Sequence, residues 1–395
     1  MNSCSIAYAF YENDFRVFRY AEALVSPGSR TDAFGVRGPG KKSRELINGV
    51  TVYRIQERVH DKQGGPFDYL IKMGAFFVKS SILCLWNHLR YRYDVILIHN
   101  VPDFFVFIAL IPRLLGAKII FDIHDIMPEF FCQRFGKPLD SRTARALMLL
   151  EKSAVGFSDA LITGNELWRN KVTKRTNFPK EKCLGMVNYP HMEFFRDMNY
   201  TIRQQSLRVI YPGHLSHHHG IDIAVRAMPL VVAKVPHARF DIYAYSWIPQ
   251  YRTQLENLIR DLDMHNIVTI YPPHDFIDLV EVYKSVDIGI VPKRGGFFAG
   301  EAFSSKMLDY MAAGIPIVAS RTIIDEYYFD DSQIRFFEPE NHEELAEGII
   351  DLYYHPAKRM ALSRAGRQYA RQNNWDIKKE EFLDLAYATV KEPRS

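Results

Sequence analysis

DIGIVPKRGGFFAGEAFSSKMLDYMAAGIPIVAS, residues 287–320, reads as a strand, a glycine-rich loop, a helix and a second strand. Both strand runs are continuously apolar rather than alternating, as in strands buried on both faces of a parallel sheet. Ser304 or Ser305 can cap the helix, and Gly314 with Pro316 ends it. Working outward, DVILIH, AKIIFD and RVIYPG have the same texture. The predicted strands lie at 5–10, 50–55, 94–99, 117–123, 160–163 and 184–187. A second series lies at 207–211, 239–244, 267–271, 287–291, 315–319 and 334–337, with helical stretches between. Repeated βα units imply an α/β fold with two Rossmann-like doubly wound parallel sheets. The series restarts after the polar segment 188–206. The expected domains are therefore 1–200 and 201–375, with a C-terminal helix at 376–395 free to cross back to the first.

A chain of 395 residues exceeds one ordinary core, and its 47% hydrophobic and 24% charged residues are those of a globular protein. The net charge of +4 is too small to argue for nucleic acid. Residues 16–92, however, hold fourteen Lys/Arg against six Asp/Glu, which suggests an anionic partner. Cys4, Cys84, Cys132 and Cys183 lack zinc or redox spacing, and a reduced cytoplasmic compartment fits them. The first residues do not read as a signal peptide. Lys72 and Lys79 interrupt the apolar window 69–86, and the window 104–117 is too short for a membrane span of roughly 20 residues.

Ligands of doubly wound sheets bind beyond the carboxyl ends of the strands, so two such domains imply an interdomain cleft. The start of the helix after Ser304 offers free N–H groups and a positive dipole end, suited to a diphosphate, with Lys306 in its first turn. Asp309, one turn further, suits ribose hydroxyls, and Glu301 suits hydroxyls of a sugar beyond the diphosphate.

EAFSSKMLDYMAAGIPIVAS resembles the signature of retaining GT-B glycosyltransferases, especially family 4, in which two acidic residues are separated by seven others. The resemblance implies that Glu301 touches the transferred sugar, that Ala302, Phe303, Ser304 and Ser305 line sugar and phosphate, and that Asp309 holds the ribose. Asp309 stands where the family usually has glutamate. YDVILIHNVPDFFVFIALIPRLLGAKIIFDIHDIMPEFF resembles the family's central unit, which places His124 on the donor sugar and His99 and Asp103 at the same cleft. YENDFRVFRYAEAL resembles its acceptor-shaping first loop and helix, making Asp14, Arg16 and Arg19 acceptor candidates together with His99 and Asp103. In RVIYPGHLSHHHG the family's Arg and Lys are replaced by His214 and His219, so Lys306 or Arg294 is expected to supply the missing charge.

The implied activity moves a hexose or related sugar from a nucleotide diphosphate sugar, the co-substrate, to a saccharide or polyprenyl-linked acceptor in surface polysaccharide or glycoconjugate synthesis. Neither cofactor nor metal is expected. The triplet 217–219 has no partner ligands of suitable spacing, and Asp261 and Asp263 lie in a helical pattern. The basic stretch and the run 68–92, with Phe76, Phe77, Leu83 and Trp86, suggest a peripheral position on an anionic inner membrane face, unless those aromatics are core. A nicotinamide enzyme needs G-x-G-x-x-G after the first strand, and FYENDFRVFR has no glycine. A sugar-nucleotide epimerase, a phosphorylase or a catalytically silent assembly scaffold are the alternatives on the same fold.

Overall fold

A computed structural model describes residues 1–58, 66–203 and 206–392. It divides into two compact units, one of Met1–Asn188 with Lys379–Ser395, the other of Tyr189–Lys378.

The first unit is built on an eight-stranded sheet: β1 (Ser3–Ile6), β2 (Thr31–Arg37), β3 (Arg44–Ile47), β4 (Val50–Glu57), β5 (Val95–His99), β6 (Lys118–Ile123), β7 (Ala160–Thr163) and β8 (Cys183–Gly185). Their order is β3-β4-β2-β1-β5-β6-β7-β8, and only the β3–β4 pair is antiparallel. The second unit carries β9 (Leu207–Leu215), β10 (Ala238–Trp247), β11 (Val268–Tyr271), β12 (Ile288–Val291), β13 (Ile317–Ser320) and β14 (Arg335–Phe337). Its order, β11-β10-β9-β12-β13-β14, is that of a dinucleotide-binding sheet, parallel throughout. Each sheet reverses direction of winding at one point, between β1 and β5 in the first and between β9 and β12 in the second. The loops leaving those strands are therefore the places where a ligand fits.

All twelve predicted strands are present, β7 with the predicted bounds and the others with shifted ends, and β2 and β3 are additional. The unit boundary lies before Tyr189 rather than after residue 200. Residues 189–203 pack on the second unit, where Phe195 meets Phe276 and Tyr283, and the Tyr200 hydroxyl donates to the Asp287 carbonyl at 2.9 Å. The last helix, Trp375–Lys391, passes to the first unit at Lys379. There Phe382 stacks on Tyr20 at 4.5 Å and Glu392 pairs with Lys182.

Helix α1 (Phe15–Ala23) follows β1, α2 (Pro66–Tyr91) follows β4, and α3 (Leu110–Leu114) lies between β5 and β6. α2 buries Met73, Phe76, Ser80, Cys84, Asn87 and His88, which recur at helical spacing on one face. Its other face exposes Leu70, Ile71, Val78, Ile82, Trp86 and Leu89, and α3 adds exposed Ile111 and Leu114. The sequence predicted no membrane-length apolar run. Among the described residues one helix, Asp68–Tyr91, is nonetheless long and apolar enough to cross a membrane, because Lys72 and Lys79 dilute that run without breaking it. The buried face marks it as a surface helix of this unit. Phe76 is core, Phe77 packs on Phe104 and Phe105, and Trp86 is 68% exposed.

Candidate functional site

In the second unit the loops after β9 and β12 meet at backbone level. Gly220 has φ +66°, and a Cβ there would lie 1.9 Å from the Pro292 carbonyl oxygen. Only glycine satisfies both demands. At Gly213, near the end of β9, a Cβ would lie 3.2 Å from Cε of Lys306, so this strand end runs under the lysine.

The helix Ser305–Ala313 starts as the sequence implies, with Ser304 at the cap position and Gly314 closing it in the left-handed region. The Ser304 side chain does not cap. Its Oγ instead accepts from Lys306 Nζ at 3.0 Å, while the ammonium sits 4.9 Å from the Tyr211 ring centre. Burial and the neighbouring Lys293 push the Lys306 pKa down to about 8, against the pull of Asp309 and Asp325. Uncapped amides and a half-buried cation thus share one helix end. Ser305 is exposed, and Phe303 packs edge-on against Tyr328 at 5.0 Å.

Glu301 and Ala302 sit in a turn over Phe298, whose carbonyl accepts from both amides. That turn is held by a residue the sequence reading did not select. Lys293 is buried, its Nζ donating to the Ala302 carbonyl at 2.9 Å and to Asp325 at 3.0 Å. Asp325 in turn accepts from the Thr322 hydroxyl, and the Ile324 amide donates to the Gly300 carbonyl. Half-buried Asp309 bears electrostatically on Lys306 and Tyr245. His219 is held well below the ordinary imidazole range by burial and by Lys306, so it is neutral near pH 7. His214 Nδ1 lies 2.7 Å from the Ser246 hydroxyl, with its ring 6.1 Å from that of His219.

Arg294 does not supply charge to this group. Its guanidinium is committed to Asp222 at 3.0 and 2.7 Å and to the His217 carbonyl, tying the loop after β12 to the start of the helix Ile221–Lys234.

In the first unit the candidates separate into a buried group and a capping residue. Asp14 caps α1, accepting from the amides of Arg16 and Val17. Arg19 is buried, its Nε donating to the Phe15 carbonyl. Arg16 is buried too, clamping Asp122 at 2.7–3.1 Å and donating to the Met186 carbonyl at 2.7 Å. Arg16 and Arg19 are thus turned to groups of their own fold, while half-buried Asp14 spends one carboxylate oxygen, Oδ1, on the cap. His99 and Asp103 are likewise buried rather than open to solvent. Burial raises the Asp103 pKa to about 6, although the Asn100 amide donates to it at 3.0 Å.

His124 directly follows β6 and remains 22% exposed. Its Nε2 is 2.7 Å from Asp122 Oδ2 and 3.0 Å from His99 Nδ1. Two imidazoles and a carboxylate at this spacing would suit a cation, but Arg16 already supplies one to Asp122.

The chain resembles known proteins. Residues 196–369 match the family model described as "Glycosyl transferases group 1", and residues 15–184 match that of a "Glycosyl transferase 4-like domain". D-inositol 3-phosphate glycosyltransferase of Saccharomonospora viridis is 22% identical over 261 residues, 62% of this chain and 59% of its own length. A GDP-mannose-dependent monoacylated alpha-(1-6)-phosphatidylinositol monomannoside mannosyltransferase of Corynebacterium glutamicum is 25% identical over 178 residues, 44% of this chain and 45% of its own. The chain thus spans about half the length of these curated relatives. Among solved structures, sucrose-phosphate synthase from Thermosynechococcus elongatus superposes with a TM-score of 0.76 at 18% identity, covering 98% of both chains.

Proposed function

The chain belongs to the family-4-like glycosyltransferases of GT-B fold, and from that premise we propose that it transfers a sugar, with retention, from a nucleotide diphosphate sugar to a phosphate-bearing or lipid-linked saccharide acceptor. The observation that carries this reading is the uncapped helix end with Lys306 folded over it. A leaving diphosphate develops negative charge, and preorganised amides with a cation stabilise that charge without a metal. Glu301, held on its turn by Lys293, takes hydroxyls of the transferred sugar. Asp309 takes the ribose, and His124, by the family resemblance, contacts the transferred sugar. His214 and neutral His219 contribute hydrogen bonds rather than charge.

A thermal-shift screen of common nucleotide sugars tests this. One selective donor is expected to raise the melting temperature, and binding at a hundred times Kd corresponds to about 2.7 kcal/mol. No shift with any of them would favour a silent assembly scaffold. Conversion of the donor without an acceptor would favour an epimerase.

The acceptor side of the proposal places the protein on the inner face of a membrane, as part of surface polysaccharide or glycoconjugate assembly. Supporting it are the exposed apolar face of α2 and α3, the exposed Lys72, Lys79, Arg90 and Arg92, and relatives whose names include an inositol phosphate and a phosphatidylinositol mannoside. Burying a large apolar side chain contributes about 1.5–3 kcal/mol. Replacing Ile82 and Trp86 together with glutamate is therefore expected to weaken sedimentation with phosphatidylglycerol vesicles at least about tenfold. A wild-type chain that stays in the supernatant at low salt would end the membrane proposal.

A further inference from the structure

One carboxylate on β6, one strand from the winding reversal of the first sheet, has three side-chain partners. Asp122 is wholly buried on β6, facing His99 in the β5–β6 register. Arg16 grips both its oxygens, while His99 Nδ1 at 2.8 Å and His124 Nε2 at 2.7 Å both approach Oδ2. We infer that Asp122, locked by Arg16 and His99, is a positioning residue that keeps a proton on Nε2 of His124 and leaves Nδ1 as the atom presented to substrate. The substrate half of this statement rests on the glycosyltransferase reading above.

The inferred tautomers aim both N–H groups at Oδ2; in the alternative, the 3.0 Å contact between His99 Nδ1 and His124 Nε2 carries the His99 proton to an unprotonated His124 Nε2. An ionised carboxylate only accepts, which favours an N–H on each imidazole nitrogen facing Oδ2. His99 therefore carries its proton on Nδ1, and its Nε2 accepts from the Ser5 hydroxyl at 2.9 Å. Burial holds the His99 pKa down, so this ring is neutral. Tyr20, lying parallel to the ring at 6.1 Å, fixes its plane. Of the four side chains in the cluster, Arg16, His99 and Asp122 are at most 5% exposed, and His124 alone reaches the surface.

The charged surroundings give His124 a definite response to pH. Burial opposes its protonation, but the field and hydrogen bond of Asp122 outweigh burial and lift its pKa above the ordinary value. Arg16 restrains that rise and Asp14 adds to it. Burial raises the neighbouring Asp125, whereas His124 and Arg16 draw it down. A protonated His124 offers Nδ1–H to an oxygen of the sugar or phosphate, and this donor is lost as pH rises through the lifted pKa.

Nitrogen-resolved NMR of the full chain, labelled with 15N-histidine, tests the assignment alongside transfer rates over pH. In the wild type, Nε2 of His124 should stay protonated while Nδ1 titrates above about 6.5. Asp122→Asn should lower that midpoint by about one pH unit or more and reduce kcat about a hundredfold with little change in KM. Arg16→Gln should move the midpoint the opposite way, and Arg16→Lys should restore it. Opposite shifts from two partners of one ion pair are not produced by general loosening, and the arginine variants keep the test open if Asp122→Asn fails to fold. A midpoint unchanged by both Asp122→Asn and Arg16→Gln, or a proton found on Nδ1 alone in neutral His124, overturns the positioning role. Shifts as expected with unaltered transfer leave the tautomer assignment standing and overturn the substrate contact.

Discussion

Lys306→Ala should lower kcat by about 10²–10³, the usual cost of removing one preorganised stabiliser of a developing anion. Among the described residues, the other cations near it are committed elsewhere. Arg294 is locked to Asp222, Lys293 is bound to Asp325 and the Ala302 carbonyl, and His219 is neutral. The same scarcity gives the wild type a pH signature. Because the Lys306 pKa is pushed down to about 8, the free protein loses this charge as pH rises through that value. Donor kcat/KM should fall above about pH 8, and Lys306→Arg should remove that fall because guanidinium stays charged. Steady-state kinetics from pH 6 to 10 measures both. A wild-type profile flat to pH 9.5 would show that the ammonium is not needed.

Glu301→Ala should cost about 10- to 200-fold in transfer, the range for hydrogen bonds to a charged group, while the melting temperature stays near that of the wild type. Glu301 is half-buried on a turn whose backbone is held by Phe298, Lys293 and Ile324. The loss should therefore appear in the chemistry and not in folding. Donor hydrolysis without acceptor should fall in parallel. Normal turnover in this variant would remove Glu301 from the site.

The doubly wound fold was legible because buried parallel strands leave continuous apolar runs, and all twelve runs are strands. β2 escaped for a physical reason. Its Asp32 looks like a strand breaker in TDAFGVR, yet it is wholly buried against Arg30, Tyr93 and Asn87. β3, a short antiparallel edge with alternating exposure, leaves no continuous run at all. At the site, the composition and spacing of 301–309 were sufficient to find the helix end and its lysine. Adjacent Lys293 and Arg294 were not separable in the sequence, since which of two neighbouring cations turns inward depends on Asp325 and Asp222, residues 32 and 72 positions away. Arg16 read as an acceptor contact because a buried bidentate ion pair with a residue 106 positions away leaves no local pattern. The pairing of His99 with Asp122 was one step away, since it follows from the register of two strands already identified.

Gly220, pressed on the Pro292 carbonyl, has a consequence for redesign. The loops after β9 and β12 form a single exchangeable cassette. Recombining one of them alone from a homologue with a different donor would bring together backbones that were never shaped for each other. Libraries meant to alter sugar preference should therefore transplant both segments in one step and leave position 220 unvaried.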